Sequence, residues 1–431
     1  MSHRLPPRTR HEAVFTLLLA GAIAAALPGC TDALLPPAPA HTEVLAGPID
    51  GLTGPQRRAH AQGDEEFARH FTVLDGLGPL FIAQSCESCH AGDGKGHPLF
   101  DITRFGRSTS GSFDPMAAEG GPQLQNRAIL GYLAEALPDG VTAIARFTAP
   151  AVTGLGLLEA VDDATILALA DPDDADGDGI SGRASLVDSS DFIADIVDVA
   201  VLAQGAEQTR HVPVDGKYLG RFSKKARTIN LLHQTVFAYS EDMGLTTDLV
   251  PRDLLNRQVG TSAGDEVADP EVASSVVSSV VFYLRTLRPP PRRDAAHSDV
   301  VAGERLFAEI GCASCHTPTL RTGRADIAAL DGVEFHPFTD LLLHDMGPEL
   351  NDGGYTEGDA LPSEWRTAPL WGLGLAEAAQ GGTPFYLHDG RARTLRDAIR
   401  YHGGEAALSR TAFDALPPEQ QERLLAYLGS L

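Results

Sequence analysis

Two copies of a Cys-x-x-Cys-His motif constrain this chain more than any other feature. The copies span residues 86–90 and 312–316, and each follows a Leu-Phe pair after four residues. The spacing is typical of covalent haem c attachment, in which two thiols bond to the porphyrin and the histidine binds iron. A four-cysteine zinc site or two redox disulfides could use the same thiols, but neither requires a histidine after each pair. The motifs therefore predict two covalently bound haems, held by Cys86, Cys89, His90, Cys312, Cys315 and His316.

The N-terminus has the features of an export signal. Residues 1–12 carry three arginines, and residues 13–27 form an uncharged, mostly apolar run that is short for a membrane span. The run leads into Leu-Pro-Gly-Cys, which resembles the lipidation site of bacterial lipoproteins at Cys30. Ordinary secretory cleavage with an incidental Cys30 is the alternative. We expect a signal peptide at residues 1–29, a lipidated Cys30 opening a flexible tether at residues 30–64, and a periplasmic, membrane-anchored protein.

Matching segments indicate that the rest of the chain is an internal duplication. Besides the Leu-Phe and Cys-x-x-Cys-His elements, a Thr-Ala-Pro segment followed by Gly-Leu-Gly-Leu occurs at residues 148–157 and again at 367–375. Three consecutive prolines at residues 289–291 cannot continue a helix and mark a linker. The predicted organisation is a first cytochrome c-like haem domain with an insertion at residues 65–288, a linker at 289–296 and a second such domain at 297–431.

Helical patterns dominate the sequence, and strand-like alternation is scarce. Helices are expected from Asp269-Pro270 to Leu287, from Ser298 to Ile310 and from Pro418 to the C-terminus. Thr394, with Asp397 three residues later, predicts a capped helix that ends before Gly403. The predicted fold is therefore mainly α, with two cytochrome c-like domains and long Gly/Pro-rich loops.

Charge and composition narrow the classes of partner. The chain has 58 acidic and 34 basic residues and a net charge of −24, which argues against nucleic-acid binding because phosphates require a basic surface. Aromatic residues make up only 6% of the chain, so two porphyrins would supply apolar bulk to the core. The expected partners are a redox protein or a small electron donor, peroxide or another oxidant, and the membrane through the lipid anchor.

Several segments in a fixed order resemble dihaem oxidoreductases, a family described as peroxidases and sometimes as thiol oxidoreductases. They include GLGPLFIAQSCESCHAGDGKG, DPDDADGDGISGR, EDMGLT, DLLLHDMGPEL and EWRTAPLWGLGL, and the resemblance extends over roughly residues 65–431. One departure is Ser223-Lys224-Lys225, where the family has Gly-Trp-Lys. The family is similar to bacterial dihaem cytochrome c peroxidases, so the resemblance implies two haems in a redox protein more firmly than it implies a substrate.

The resemblance also implies a second axial ligand for the second haem. In dihaem peroxidases, a methionine ligand lies fourteen residues after the histidine of a His-Asp-Gly-x-x-x-Thr-Leu motif. Here that motif begins at His388, and the residue fourteen positions later is His402. Met346 is the rival ligand. The first haem has no candidate at matching spacing, and the open choices are His70, His97, His233, Met116 and Met243.

Residues for proton transfer and cofactor anchoring are less sharply indicated. If the first haem binds peroxide, an acid or base beside it would move the proton that assists O–O cleavage. Glu119, Gln123 and Gln125 lie in a polar loop of the first domain and are the candidates, although an ordinary exposed loop would look the same. Arg391 and Arg393 could pair with haem propionates, since a guanidinium matches a carboxylate.

An acidic run at residues 171–181 suggests a Ca²⁺ loop. Asp174, Asp176 and Asp178 alternate and precede Gly179, but position twelve of an EF-hand would require Glu where Ser185 stands. A simple acidic turn is the alternative. Together these observations predict a peroxidase-like dihaem oxidoreductase; a dihaem electron-transfer cytochrome without peroxidase activity is the competing hypothesis.

Overall fold

The computed structural model describes residues 47–110, 112–190, 192–193, 195–196, 213–254 and 267–431. The predicted signal peptide and Cys30 lie outside these residues. No helix in the described part of the chain is long and apolar enough to cross a membrane. We call residues 47–288 the first half and residues 297–431 the second half.

Ten α-helices fall within the described ranges, and most are short. The four longest helices lie in pairs, one near the start and one at the end of each half. Their bounds are α1 Gly54–Ala68, α2 Leu155–Glu159, α3 Asp163–Leu167, α4 Leu231–Phe237, α5 Ser274–Thr286, α6 Ser298–Glu309, α7 Ala376–Ala379, α8 Leu395–Arg400, α9 Ala407–Ala415 and α10 Pro418–Ser430.

Five small antiparallel sheets also lie in the described residues. The largest has three strands in the order β3-β2-β5, and the others are the pairs β1-β4, β6-β7, β8-β9 and β10-β11. The strand bounds are β1 Leu80–Phe81, β2 Ile102–Thr109, β3 Ser112–Asp114, β4 Arg127–Ala128, β5 Ala143–Phe147, β6 Ser185–Asp188, β7 Lys217–Gly220, β8 Leu320–Arg321, β9 Glu334–Phe335, β10 Leu343–Asp345 and β11 Glu364–Arg366.

The prediction of a mainly α, cytochrome c-like fold is wrong. The structure is 36% helix and 15% strand, and its described residues show no clear all-α cytochrome c fold. Strand β5 shows why the pattern misled: it alternates, but its buried positions include the alanines at 143 and 145, while the large apolar Ile144 is 42% exposed. Tertiary neighbours, including Tyr355 and Trp365 of the second half, cover the alanine face.

The two halves repeat the same helix pair. Helix α1 packs on α5 in the first half, and α6 packs on α10 in the second. Each crossing relies on a glycine, because a Cβ at Gly63 would collide with the Ser279 carbonyl and a Cβ at Gly303 would collide with the Arg423 carbonyl. The chain thus builds one close helix contact twice, which agrees with an internal duplication.

The Gly-Leu-Gly-Leu segments occupy equivalent places beside these helix pairs. The Gly154 N–H donates to the Leu287 carbonyl at 3.1 Å, and the Gly372 N–H donates to the Leu431 carbonyl at 2.6 Å. The next glycine of each segment lies against the end of the closing helix, where a Cβ at Gly156 or Gly374 would strike backbone. Each Gly-Leu-Gly-Leu segment is therefore hydrogen-bonded to the C-terminal end of the helix that closes its half.

Most predicted helix positions are confirmed. The Thr394 hydroxyl accepts from the Asp397 N–H at 3.0 Å, and helix α8 follows it as expected. Helix α5 is shorter than predicted, because the backbone stays extended through Ala273. Residues 54–64, which we expected in the flexible tether, belong instead to helix α1.

Candidate functional site

Both Cys-x-x-Cys-His motifs line a single continuous cavity. Its walls are mostly apolar and include the four cysteines of the motifs together with His90 and His316. Burial raises the pKa of Cys86, Cys89 and Cys312 to about 12, so these thiols are neutral when no group is attached. An apolar cavity with two thiol pairs and two histidines fits the two porphyrins that the sequence predicts.

The first histidine is held in the orientation that an iron ligand needs. Its Nδ1 lies 2.7 Å from the Pro150 carbonyl, and because a carbonyl only accepts, Nδ1 carries the proton. Burial lowers the pKa of His90 to about 4, so the imidazole is neutral. The Nε2 lone pair is then available to a metal, and the carbonyl fixes the ring. Phe67 packs 6.1 Å away, centroid to centroid.

The second histidine repeats this arrangement. Its Nδ1 donates to the Phe338 carbonyl at 2.9 Å, and burial lowers the pKa of His316 to about 4. Phe307 occupies the place that Phe67 has in the first half, with centroids 6.4 Å apart. The two motifs are thus supported in the same way by separate parts of the chain.

His402 faces His316 across the cavity. The ring centroids are 6.5 Å apart, and two imidazoles that share one metal ion through bonds of about 2 Å have centres roughly 6 Å apart. The His402 Nδ1 donates to the Ala398 carbonyl at 2.8 Å, and burial lowers the pKa of its ring. Met346 also lines the cavity, but its neighbours include Tyr401 and the cluster around Trp365. The geometry favours His402 as the partner of His316.

None of the histidines predicted as partners of the first motif lines the cavity in the part of the chain that the structure describes. Met243 lines the cavity, whereas His70, His97, His233 and Met116 do not. His97 packs on Phe385, with centroids 4.5 Å apart, and His233 packs against Phe237. Sequence reasoning offered five candidates here, and the structure places one of them at the cavity.

The predicted acid–base residues do not line the cavity themselves. Glu119 lies in a short turn away from it, and Gln123 and Gln125 are buried behind it. The Gln123 amide donates to the Asp242 Oδ1 at 2.7 Å and to the Glu241 carbonyl at 2.8 Å. Gln123 therefore supports a carboxyl that does face the cavity.

Asp242 is the residue that sequence reasoning missed. It lines the cavity close to the first motif, and burial raises its pKa to about 6, which Gln123 only partly offsets. Gln234, on helix α4, lines the same cavity. The only sequence signal for Asp242 was its place in the EDMGLT segment that resembles the family.

A buried group of four charges also borders the first half of the cavity. Glu241 accepts from Arg104 at 2.7 Å and from Arg227 at 2.5 Å, and Glu357 lies 3.7 Å from Arg104 and 3.6 Å from Arg227. Burial would raise the pKa of Glu241, but the two guanidiniums outweigh burial and lower it to about 2. This group stays ionised and neighbours Asp242 directly.

A different charged group borders the second motif. His344 lies between Asp340 and Glu405, with both nitrogen–oxygen distances 2.8 Å, and its Nδ1 is 3.5 Å from the Cys315 sulfur. Burial opposes protonation, but the hydrogen bond that His344 donates to Asp340 and the other contacts raise the pKa of His344. Glu405 also accepts from the Ser181 hydroxyl at 3.0 Å, which ties the acidic-run segment to the second half.

The predicted propionate partners lie away from the cavity lining. Arg391 donates to Asp389 at 2.6 Å and to Asp352 at 2.9 Å, so carboxylates of the chain already pair it. Arg393 stacks over the Phe385 ring at 3.8 Å. Neither arginine lines the cavity, and their role toward haem stays a prediction.

The acidic run forms a compact turn. Carboxylate oxygens of Asp171, Asp174 and Asp176 lie within 4.8 Å of one another, whereas Asp178 is not part of this cluster. Asp174 accepts from the Gly179 N–H at 3.1 Å, and Asp178 accepts from the Ile180 N–H at 2.8 Å. Some of the acidic side chains therefore stabilise the turn by accepting hydrogen bonds from its backbone. Ca²⁺ binding here stays a prediction.

Two solved structures align with most of this chain at low sequence identity. Hydrazine synthase of Kuenenia stuttgartiensis aligns with 91% of this chain and 91% of its own at 14% identity and a TM-score of 0.37. A MauG-like protein associated with microbial copper homeostasis aligns with 92% of this chain and 94% of its own at 13% identity and a TM-score of 0.38. No curated protein matches.

One family model matches most of the chain. It covers residues 132–431 and therefore includes the second motif, His402 and Asp242, while the first motif and Arg104 precede the matched stretch. The first motif is linked to the match by the shared cavity and by the repeated histidine geometry. The chain belongs to the family described as "Di-haem oxidoreductase, putative peroxidase".

Proposed function

We propose that this protein is an exported dihaem c-type cytochrome that acts as a peroxidase-like oxidoreductase. One observation carries the proposal: a single cavity is lined by both Cys-x-x-Cys-His motifs, and both histidines present an unprotonated nitrogen to it. Cys86 and Cys89 would hold one haem covalently, and Cys312 and Cys315 the other. When bound, the haem irons supply one-electron chemistry and, at an open coordination position, peroxide binding.

The second half would serve electron transfer, and the first half would serve peroxide cleavage. His316 and His402 would give the second iron two strong ligands, which suits electron transfer. In the first half, the Asp242 carboxyl, oriented through Oδ1 by Gln123, would hold the proton that peroxide cleavage must move. Arg104 and Arg227 keep Glu241 ionised, so Asp242 is the neighbouring carboxyl whose proton can exchange near neutral pH.

Location and partners follow from the sequence and belong to the same proposal. The signal peptide and the lipidated Cys30 would place the protein in the periplasm on a membrane. A redox protein or a small electron donor would reduce it, and peroxide or another oxidant would accept the electrons. Replacement of Cys30 by Ser should release the protein from membranes and abolish incorporation of labelled palmitate; unchanged membrane retention would contradict the anchor.

The cofactor and activity can be tested on the purified full chain. We expect two haems per chain that remain attached under denaturation, a low-spin electron paramagnetic resonance signal from the second haem, and a spectral change of the reduced protein on adding peroxide. Loss of haem on denaturation would contradict covalent attachment. If both irons are six-coordinate and low-spin in every redox state and peroxide changes nothing, the protein is an electron-transfer cytochrome instead.

A further inference from the structure

Two basic side chains face the cavity where the halves meet. Lys224 and Arg366 both line it, and the Arg366 N–H donates to the Lys224 carbonyl at 3.1 Å, so the two residues are neighbours. Arg366 uses Nε and one terminal nitrogen for the carbonyls of Ser223 and Thr367, each at 3.0 Å. No described residue forms a hydrogen bond or an ion pair with the Lys224 Nζ.

Lys224, which is partly buried, differs in this respect from Lys225 and Lys95. The Lys225 Nζ donates to three carbonyls, at 2.7, 2.9 and 3.1 Å, and the Lys95 Nζ donates to the Leu387 carbonyl at 2.6 Å. Burial lowers the pKa of Lys224 to about 8, and the charge of Arg366 acts in the same direction. Asp101 and Asp389 act on Lys224, and Asp340 acts on Arg366, but none of these carboxylates forms an ion pair with either cation. Two adjacent, partly buried cations without a paired carboxylate are costly, so an anion is expected between them and the cavity.

A haem bound in this cavity would supply carboxylates that could pair with Lys224 and Arg366. Its two propionates are its anionic groups, and the rest of the cavity lining is mainly apolar. Lys224 lies three residues before Arg227, whose guanidinium pairs with Glu241. The adjacent Asp242 accepts through its carbonyl from the Ala83 N–H at 3.0 Å, three residues before Cys86, so Lys224 lies on the side of the first motif. Arg366 instead interacts with Asp340, whose N–H donates to the Cys315 carbonyl at 3.1 Å. The pair therefore extends from the first motif toward the second.

We propose that Lys224 and Arg366 bind the propionate carboxylates of the haem held by the first motif. The inference rests on the proposed haem binding and adds the residues that neutralise that haem. A guanidinium with free donors and a point-like ammonium are both suited to carboxylates. As positioning residues, they would raise the reduction potential of the first haem, because a nearby positive charge stabilises the added electron.

The test compares Lys224→Met with Lys224→Arg in the full-length dihaem protein, after haem content shows two haems per chain. Lys217→Met is the matched control, because Lys217 forms a surface pair with Asp188. We expect Lys224→Met to lower the midpoint potential of the first haem in spectroelectrochemistry and to shift its propionate bending band in resonance Raman spectra. Lys224→Arg should retain both properties, and the control should be unchanged. Arg366→Gln provides a second variant if Lys224→Met misfolds.

Two results would overturn the assignment. The first is an unchanged midpoint potential and Raman band in both Lys224→Met and Arg366→Gln, with two haems bound. The second is a response of the wild-type spectra to added acetate that Lys224→Met abolishes, which would assign the cations to an external carboxylate. Neither readout uses peroxide turnover, so failure here is distinguishable from failure of the proposed activity.

Discussion

The two halves share a scaffold but differ in what surrounds it. Each half crosses two helices at a glycine, places a phenylalanine near the motif histidine and donates that histidine's Nδ1–H to a carbonyl. The second half then adds His402 opposite His316, whereas the first half adds Asp242 and the ion-paired Arg104, Arg227 and Glu241. A duplicated scaffold can therefore carry two chemistries, because the residues opposite the histidine come from segments outside the repeat.

Among the variants that alter the contrast between the halves, replacement of His402 should have the largest effect. His402→Ala takes away one of the two imidazoles that face each other at 6.5 Å, so the second haem should lose its low-spin electron paramagnetic resonance signal. His336→Ala is the control, since that exposed residue of the second half does not line the cavity. A low-spin signal that survives in His402→Ala would refute the ligand assignment and favour Met346.

Asp242→Asn should have the next largest effect and should act only on the first half. Positioned proton transfer contributes roughly 10²–10⁴-fold, so peroxide turnover should fall by a factor in this range while the second haem's spectrum is unchanged. As a base, Asp242 must be ionised, so wild-type turnover should rise with pH through about 6 and then level off. Turnover by Asp242→Asn should not show this rise with pH. The control Asp114→Asn, at an exposed position, should show the same rise as the wild type.

Glu241→Gln should destabilise the first half without changing a ligand. It leaves Arg104 and Arg227 buried without their closest carboxylate, which costs about 3–5 kcal/mol of unfolding free energy. The folded pKa of Glu241 is about 2, below its ordinary value of 4.5. Its stabilisation is therefore complete above pH 4.5 and is lost as pH falls toward 2, where variant and wild type should converge.

The control for this variant lies in the second half. Glu304→Gln breaks a partly exposed pair with Arg292, for which we expect a loss of less than about 1 kcal/mol. Denaturant titration of both variants measures the contrast. Equal losses in the two variants would show that the buried group contributes no more than a surface pair.

The smallest effects should be equal in the two halves. Gly63→Ala and Gly303→Ala each force a methyl group against a backbone carbonyl of the partner helix, and overpacking of this kind costs about 1–3 kcal/mol. Thermal unfolding should show a lower midpoint for both variants. Gly429→Ala, whose Cβ would meet nothing within 4 Å, should have little effect. A loss in only one half would show that the helix pairs are not energetically equivalent.

Local signals in the sequence predicted a good part of the site. The Cys-x-x-Cys-His motifs, the cap of helix α8 at Thr394 and the duplication each depend on residues close in the chain, and the structure repeats them as expected. Strand β5 was missed because alanines, rather than large apolar residues, fill its buried face. Gln123 was predicted as an acid–base residue, but it lies behind the cavity wall, and its partner Asp242, 119 positions later, could not be identified from spacing.

The sequence by itself determined the two Cys-x-x-Cys-His motifs, their membership in one duplicated chain and the choice of His402 as a candidate ligand, because each depends on the spacing of residues in a short motif. Tertiary structure alone decided which carboxyl faces the cavity, where Arg104 and Arg227 meet Glu241, and that Lys224 and Arg366 lie side by side. These residues come from distant segments, and their burial, charge and contacts exist only after packing brings the segments together.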